Sequence, residues 1–185
     1  MSQRLDLSYR TFRIIAAVQA GTPTAAAISG GRRWFLCAGT DLDAAVLEAK
    51  RRIDALLAEE RSRRREPHIG TTAEYRRAFA ALEIGGHHAK MLRAHANAPD
   101  RTLTAGQLAR SAGYDDFEVA NAHYGRLGRK VAEHLETVPP RYAKRDEPVW
   151  TRALAEDTDV NSPLGHLQWR MHEEVAYALH ELAMA

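Results

Sequence analysis

From Tyr9 to Val18 the chain alternates, with Arg10, Phe12 and Ile14 in one register and Thr11, Arg13 and Ile15 in the other. A period of two places successive side chains on opposite faces of a strand. Gly21-Thr22-Pro23 reads as a turn, Ala25 to Ser29 as a second short strand, Gly30-Gly31 as a hairpin turn and Arg32 to Ala38 as a third strand. After Gly39 the period becomes helical. Thr40 or Asp41 stands where a cap is needed, and Leu42, Ala45, Val46, Ala49, Ile53, Leu56 and Leu57 form one apolar stripe. The pattern predicts a three-stranded antiparallel meander with one helix across a face. Glu59 to Pro67 then loses all apolar period and ends in proline, as a helix end running into a linker does. This places a small sheet-plus-helix module over 1–65 and a second module over 66–185. Arginines in that charged run read either as an arm for phosphates or as a solvated helix tail, and the second is the commoner fate of such runs.

The second module opens on Thr71-Thr72-Ala73-Glu74, a capping box, followed by the stripe Tyr75, Ala78, Phe79 and Leu82. Gly85-Gly86 breaks that helix. Another is expected from His87 to Ala96, burying Met91, Leu92 and His95, before a turn at Ala98 to Arg101. Thr104-Ala105-Gly106-Gln107 is a second capping box, which starts a short helix with Leu108, Ala109 and Ala112 inward and Gly113 at its end. Gly113-Tyr114-Asp115-Asp116 leads directly into a longer helix from Phe117 to Leu135. A short capped helix, a tight turn and a longer helix have the organisation of a helix-turn-helix.

Projected at about 100° per residue, the long helix puts Phe117, Ala120, Tyr124, Leu127, Val131 and Leu135 toward the core. Its opposite face carries Glu118, Ala122, Gly125, Arg126, Arg129 and Glu133, with Asn121 and Lys130 on the flanks. Small residues there admit a close duplex, Arg126, Arg129 and Lys130 suit phosphates or guanine edges, and Asn121 has the amide geometry to read adenine. The competing reading makes these cations a solvated face favoured by the helix dipole, and Glu118 and Glu133 repel phosphate. Beyond Pro139-Pro140, a strand, a polar tip and a second strand over Arg141 to Leu154 make a wing, with Arg141, Lys144 and Arg145 placed for backbone phosphates. Glu156 to Pro163 reads as an acidic loop, His166 to Met171 as a short strand, and Val175, Ala178, Leu179 and Leu182 as the stripe of a last helix. The fold class expected is α+β, with a helix-turn-helix or winged-helix second module.

Composition changes this picture little. Residues 1–65 hold 12 Lys/Arg against 7 Asp/Glu, and residues 66–185 hold 14 against 17, so any DNA contact comes from a local patch rather than a global basic excess. No apolar run approaches the roughly 18 residues that span a bilayer, and the polar start lacks a secretory core, which points to a cytoplasmic protein without membrane partners. Cys37, the single cysteine, excludes an internal disulfide and a multi-cysteine zinc site. Among nine histidines, His87, His88 and His95 are placed to meet around a helix and His172 and His180 lie two turns apart, yet no His-Glu-x-x-His or His-x-x-x-His occurs. Phosphate-binding glycine loops and a Gly-x-Ser-x-Gly elbow are missing as well. Neither a catalytic function nor a cofactor or metal is expected.

The run Lys90-Met91-Leu92-Arg93-Ala94-His95, Ala98-Pro99, Arg101 to Ala105, Gln107-Leu108-Ala109, Gly113-Tyr114 and Ala120 to Arg129, with the ending Trp169 to Leu179, resembles a bacterial helical module. That module accompanies HNH-type restriction endonuclease domains and has stand-alone relatives; its most specific part is Ala-Asn-x-x-Tyr-Gly-x-Leu-Gly. The resemblance covers roughly 72–184 and implies handling of modified or foreign DNA, with a nuclease as protein partner, since no His-Asn-His finger is present here. The first module is similar in topology to HicB-like antitoxin domains and truncated double-stranded-RNA-binding domains, and topology does not set function. Two functions are therefore expected: a non-catalytic binder of double-stranded DNA, or a protein-binding adaptor or antitoxin-like partner that uses the sheet edge or final helix and does not touch DNA.

Overall fold

Arg10 adopts a φ of 51° and turns the chain back on itself, so the alternating stretch is not one strand. In the structure, a computed structural model describing residues 4–82, 84–144, 146–158 and 167–185, it is instead the junction of two. β1 (Arg4–Tyr9), β2 (Phe12–Gln19), β3 (Thr22–Ser29) and β4 (Arg32–Ala38) form an antiparallel sheet in sequence order. The sheet thus has four strands rather than the expected three. β1 escapes notice because its leucines are only two, Leu5 and Leu7, among Arg4, Asp6 and Ser8. The chain as a whole is α+β and divides into two units at Arg63/Arg64.

In the first unit, register aligns Leu7, Ile14, Ala27 and Phe35 in one inward row and Leu5, Ala16, Ala25 and Cys37 in the next. α1 (Leu42–Ser62) lies on that face, and its Ala45 and Ala49 are fully buried, as are Ala16, Ala25 and Ala27 of the sheet. Alanine on both sides brings helix and sheet close, while Ile53 and Leu57 fill the wider part of the layer. Asp41 caps the helix by accepting the Ala44 amide at 2.8 Å. At the other end of the layer, Tyr9 Oη and Arg10 Nε donate to the two oxygens of Asp54 at 2.8 and 2.7 Å, which holds the β1–β2 turn to α1.

The second unit begins at Arg64, which is neither an arm nor a solvated tail. Its side chain is 5% exposed and pairs at 2.5 Å with Glu74, itself 2% exposed. It also donates to the Leu135 and Pro67 carbonyls at 2.9 and 3.1 Å. Glu74 serves at the same time in the Thr71 capping box that starts α2 (Thr72–Ala81). There follow α3 (Gly86–Ala96), a 3-10 turn at Pro99–Arg101, β5 (Thr102–Thr104), α4 (Ala105–Ala112) and α5 (Phe117–His134). The chain then makes a 3-10 turn at Trp150–Ala153 and continues as β6 (Ala155–Asp157), β7 (Gln168–Met171) and α6 (Glu173–Glu181). β5, β7 and β6 pair antiparallel in that order. The core draws on every helix of the unit, with Tyr75, Leu92, Leu108, Tyr124 and Leu179 fully buried.

Three expectations are corrected here. Phe117 is 53% exposed, because it opens α5 before the helix reaches the core. α5 ends at His134, within one residue of the expected Leu135, but what closes it is not Pro139-Pro140: Glu136 takes a φ of 50° and the Thr137 amide returns to the Ala132 carbonyl at 2.9 Å. Arg141 to Leu154 is not a pair of strands: Arg141 and Pro148 make one isolated bridge, and Trp150 to Ala153 is a helical turn. Pro148 has no amide for a ladder, and the following turn is held by α5 instead. The acidic stretch from Glu156 contributes the end of β6, and His166 lies outside the described residues.

α5 and the Trp150 turn meet at Gly128, where an added Cβ would overlap the Trp150 carbonyl oxygen, whereas Gly125, one turn earlier, has open space. Gly128→Ala is therefore expected to destabilise the protein by about 1–3 kcal/mol, as overpacking against backbone does. Gly125→Ala is expected to be neutral or to stabilise by up to about 1 kcal/mol through helix propensity. Urea denaturation of the two variants checks this, and equal effects would contradict the packing at Gly128.

Candidate nucleic-acid interface

α4 and α5 are set against each other by local chemistry that the sequence displays. Thr104 Oγ1 accepts the Gln107 amide at 3.2 Å while Gln107 Oε1 accepts the Thr104 amide at 2.7 Å. Gly113 ends α4 at a φ of 86°, a conformation glycine adopts without strain, and Asp116 caps α5 by accepting the Glu118 amide at 2.8 Å.

The orientation of α5 depends on His95. This imidazole of α3 is fully buried and lies 2.8 Å from Tyr124 Oη and 2.9 Å from the Trp169 carbonyl oxygen. A carbonyl only accepts, so Nε2 carries the proton, and Nδ1 accepts from the Tyr124 hydroxyl. One ring thereby joins α3, α5 and β7, and Tyr124 stacks on Trp169 with centroids 6.0 Å apart. Burial pushes His95 down to about 4 and raises the Tyr124 phenol above its ordinary value.

Away from that core, α5 presents Ala122, Arg126, Arg129, Lys130 and Glu133 as exposed residues. They are not equivalent. Arg129 Nε binds Glu133 at 2.9 Å, and its guanidinium lies 5.5 Å from the centre of the Trp150 ring. Arg126 and Lys130, one turn apart, remain directed outward. Asn121 does not join them: it shares the side of the helix that carries Gly128, is half-buried, and its Oδ1 is shielded from solvent without a partner. Arg141 is exposed, 4.0 Å from Asp146, and Lys144 is exposed. Arg145 lies outside the described residues. The structure thus gathers Arg126, Arg129 and Lys130 on one helix and leaves Arg141 and Lys144 on the separate segment before Trp150.

Sequence reasoning misses the ring cluster beside this face. His87 and His88, at the start of α3, do not meet His95; they meet His123 and Tyr114. The Tyr114 and His123 rings stack at 5.3 Å, His87 lies 4.8 Å from Tyr114, and His88 lies 5.5 Å from His123. His87 Nδ1 is 3.0 Å from the Ala112 carbonyl and His88 Nε2 is 3.1 Å from the His123 carbonyl, so each ring donates inward and keeps its second nitrogen free of those bonds. The available signal was the spacing of His123, Arg126 and Lys130 at i, i+3 and i+7, which places them along one side of a helix. His172 is buried, with Nε2 2.9 Å from the Arg152 carbonyl, and His180 is exposed. Among the described residues, no three His, Cys, Asp or Glu side chains are grouped to hold a metal ion, and no helix is long and apolar enough to cross a membrane.

The chain matches no protein-family model, no curated protein and no solved structure.

His95 also makes stability depend on pH. Its pKa is lower folded than unfolded, so the unfolded chain takes up the proton first, and the stability present above the ordinary value of 6.5 is lost as pH falls toward about 4. Burial depresses His134 and His172 in the same direction. Between pH 7 and pH 4.5, His95 alone is expected to cost about 2–3 kcal/mol of folding free energy. His95→Leu should be less stable at neutral pH, by about 2 kcal/mol or more through the unpaired Tyr124 hydroxyl and Trp169 carbonyl, but should show a flatter acid dependence. Urea titrations at the two pH values measure both, and an unchanged acid dependence would exclude His95 as a source.

Proposed function

We propose that residues 64–185 form a winged-helix domain that binds double-stranded DNA without catalysis, with α5 as the helix laid in the major groove. The observation that carries this reading is the outward row of Arg126 and Lys130 on a helix locked from behind by His95 and Tyr124. Connectivity supports it: α3, β5, α4 and α5 are followed by the antiparallel strands β6 and β7, and β7 lies between β5 and β6. In this reading the wing is the β6–β7 pair, not Arg141 to Leu154. Arg126 and Lys130 contact backbone phosphates, Ala122 and Gly125 admit the duplex, and Arg129 masks Glu133 and steadies the Trp150 turn. Asn121 has no base-reading role. The resemblance to a module that accompanies HNH-type nucleases supports a task in restriction or modified-DNA recognition, with any nuclease supplied by a partner.

A second reading is favoured by the outer face of the first unit's sheet. Ile15, Ala26 and Leu36 are aligned across β2, β3 and β4, and Leu36 is 45% exposed. That row suits a protein partner, which would make the chain an adaptor.

Fluorescence anisotropy with duplexes that carry or lack modified cytosine, at two salt concentrations, tests the first reading. Arg126→Ala and Lys130→Ala should each weaken binding across sequences and lower the salt slope by about one. Arg129→Ala should change the slope less, since that charge is already paired. Wild-type protein that binds no duplex at low salt would refute DNA binding, and a salt-resistant protein partner captured without DNA would favour the adaptor.

A further inference from the structure

We propose that His87, His88, His123, Arg126 and Lys130 form one phosphate-binding surface of the α3–α5 face, and that it grips the DNA backbone more tightly as pH falls through the titration of His88 and His123. The inference rests on the DNA reading above and adds to it the location of the phosphates and a regulatory variable. Geometry carries it. His123, Arg126 and Lys130 follow one side of α5, and His87 and His88 reach that side from the start of α3, with His87 6.3 Å and His88 5.5 Å from the His123 ring.

The rings are preorganised and incompletely used. His87 and His88 are each fixed by one bond to a backbone carbonyl, which commits one nitrogen as donor; the other is an acceptor in the neutral ring and donates to an external anion only when the ring is protonated. Tyr114 braces the group, stacked on His123 with its hydroxyl 3.3 Å from His123 Nε2. Clustered cations and imidazoles without an anion between them repel one another, so an anion is the ligand they suit. Burial and the neighbouring His123, Lys130 and Arg126 hold His88 below its ordinary value, and burial, Arg126 and His87 do the same for His123. The nearest acids in sequence, Asp115, Asp116 and Glu118, stand at the start of α5, where Asp116 is engaged with the Glu118 amide. A phosphodiester placed against this surface supplies the missing negative charge, raises the imidazole pKa values and draws protons from solution. Linkage then requires binding to strengthen toward acid. Arg129, paired with Glu133, stands outside the surface.

The test measures affinity for one short duplex at about pH 8 and about pH 6 at constant ionic strength, in wild type, the His88→Gln/His123→Gln double variant and Arg129→Ala. Thermal melts at both pH values verify that each variant is folded. Wild type and Arg129→Ala should tighten about three- to tenfold or more on acidification, a size set by uptake of one proton or a large part of one. The double variant, whatever its affinity at the higher pH, should lose most of the gain between the higher pH and the lower. The imidazole resonances of His88 and His123, followed by NMR, should titrate at higher pH with duplex than without it, a readout that stands even where a variant folds poorly. Binding that ignores pH, a double variant that retains the gain, or imidazoles that titrate alike with and without duplex would overturn the surface and leave the DNA reading intact. Absence of duplex binding at both pH values would overturn both.

Discussion

A neutral imidazole donating to the Trp169 carbonyl and accepting from the Tyr124 hydroxyl links the first strand-flanking helix, the long helix and the central strand of the second unit. Each of these groups would be an unsatisfied polar atom in an apolar core without the other two, so the three sequence-distant elements can pack only in the arrangement that brings them together. The outward direction of Arg126 and Lys130 follows from this, because Tyr124 is held inward on the same helix. The surface proposed for binding is therefore set by a polar contact at the opposite side of α5.

The Trp150 turn does a related job from outside. Its backbone enters the gap that Gly128 leaves, and Arg129 lies over its ring. Covering α5 at Gly128 leaves the helix with a buried core face, a covered flank at Gly128, and an exposed remainder. The exposed remainder is narrower than a helical projection suggests, and on it Arg129 and Glu133 pair with each other, which leaves Arg126 and Lys130 as its outward cations and Glu118 as its outward acid.

Local signals in the sequence were sufficient wherever the determining contact spans a few residues. The capping boxes at Thr71 and Thr104, the glycine stop at Gly113 and the stripe of α1 all occur as read, because cap and stripe depend on spacing alone. What was illegible depends on partners far along the chain. Asn121 looks displayed until the fold half-buries it. Arg64 looks like a solvated charge until Glu74 and the Leu135 carbonyl arrive, 10 and 71 residues away. The cations from Arg141 onward suggest a strand pair where only an isolated bridge forms, whereas strands as short as β5 and β6, three residues each, carry too little alternation to be seen. The histidine cluster joins residues 35 apart and has no motif.

Where the two units are divided has a practical meaning for anyone isolating the second. The composition invites a cut after Arg65, within the charged run. A fragment that starts there would keep Glu74 in its buried position and lose the guanidinium that neutralises it. Removing one member of a buried ion pair costs about 3–5 kcal/mol, a large part of the stability of a domain this size. Such a fragment would be destabilised for reasons unrelated to any interface, and a loss of activity in it would carry no information about function. A boundary ahead of Arg64 keeps the last residues of the charged run as what they are, the first piece of the second unit's interior.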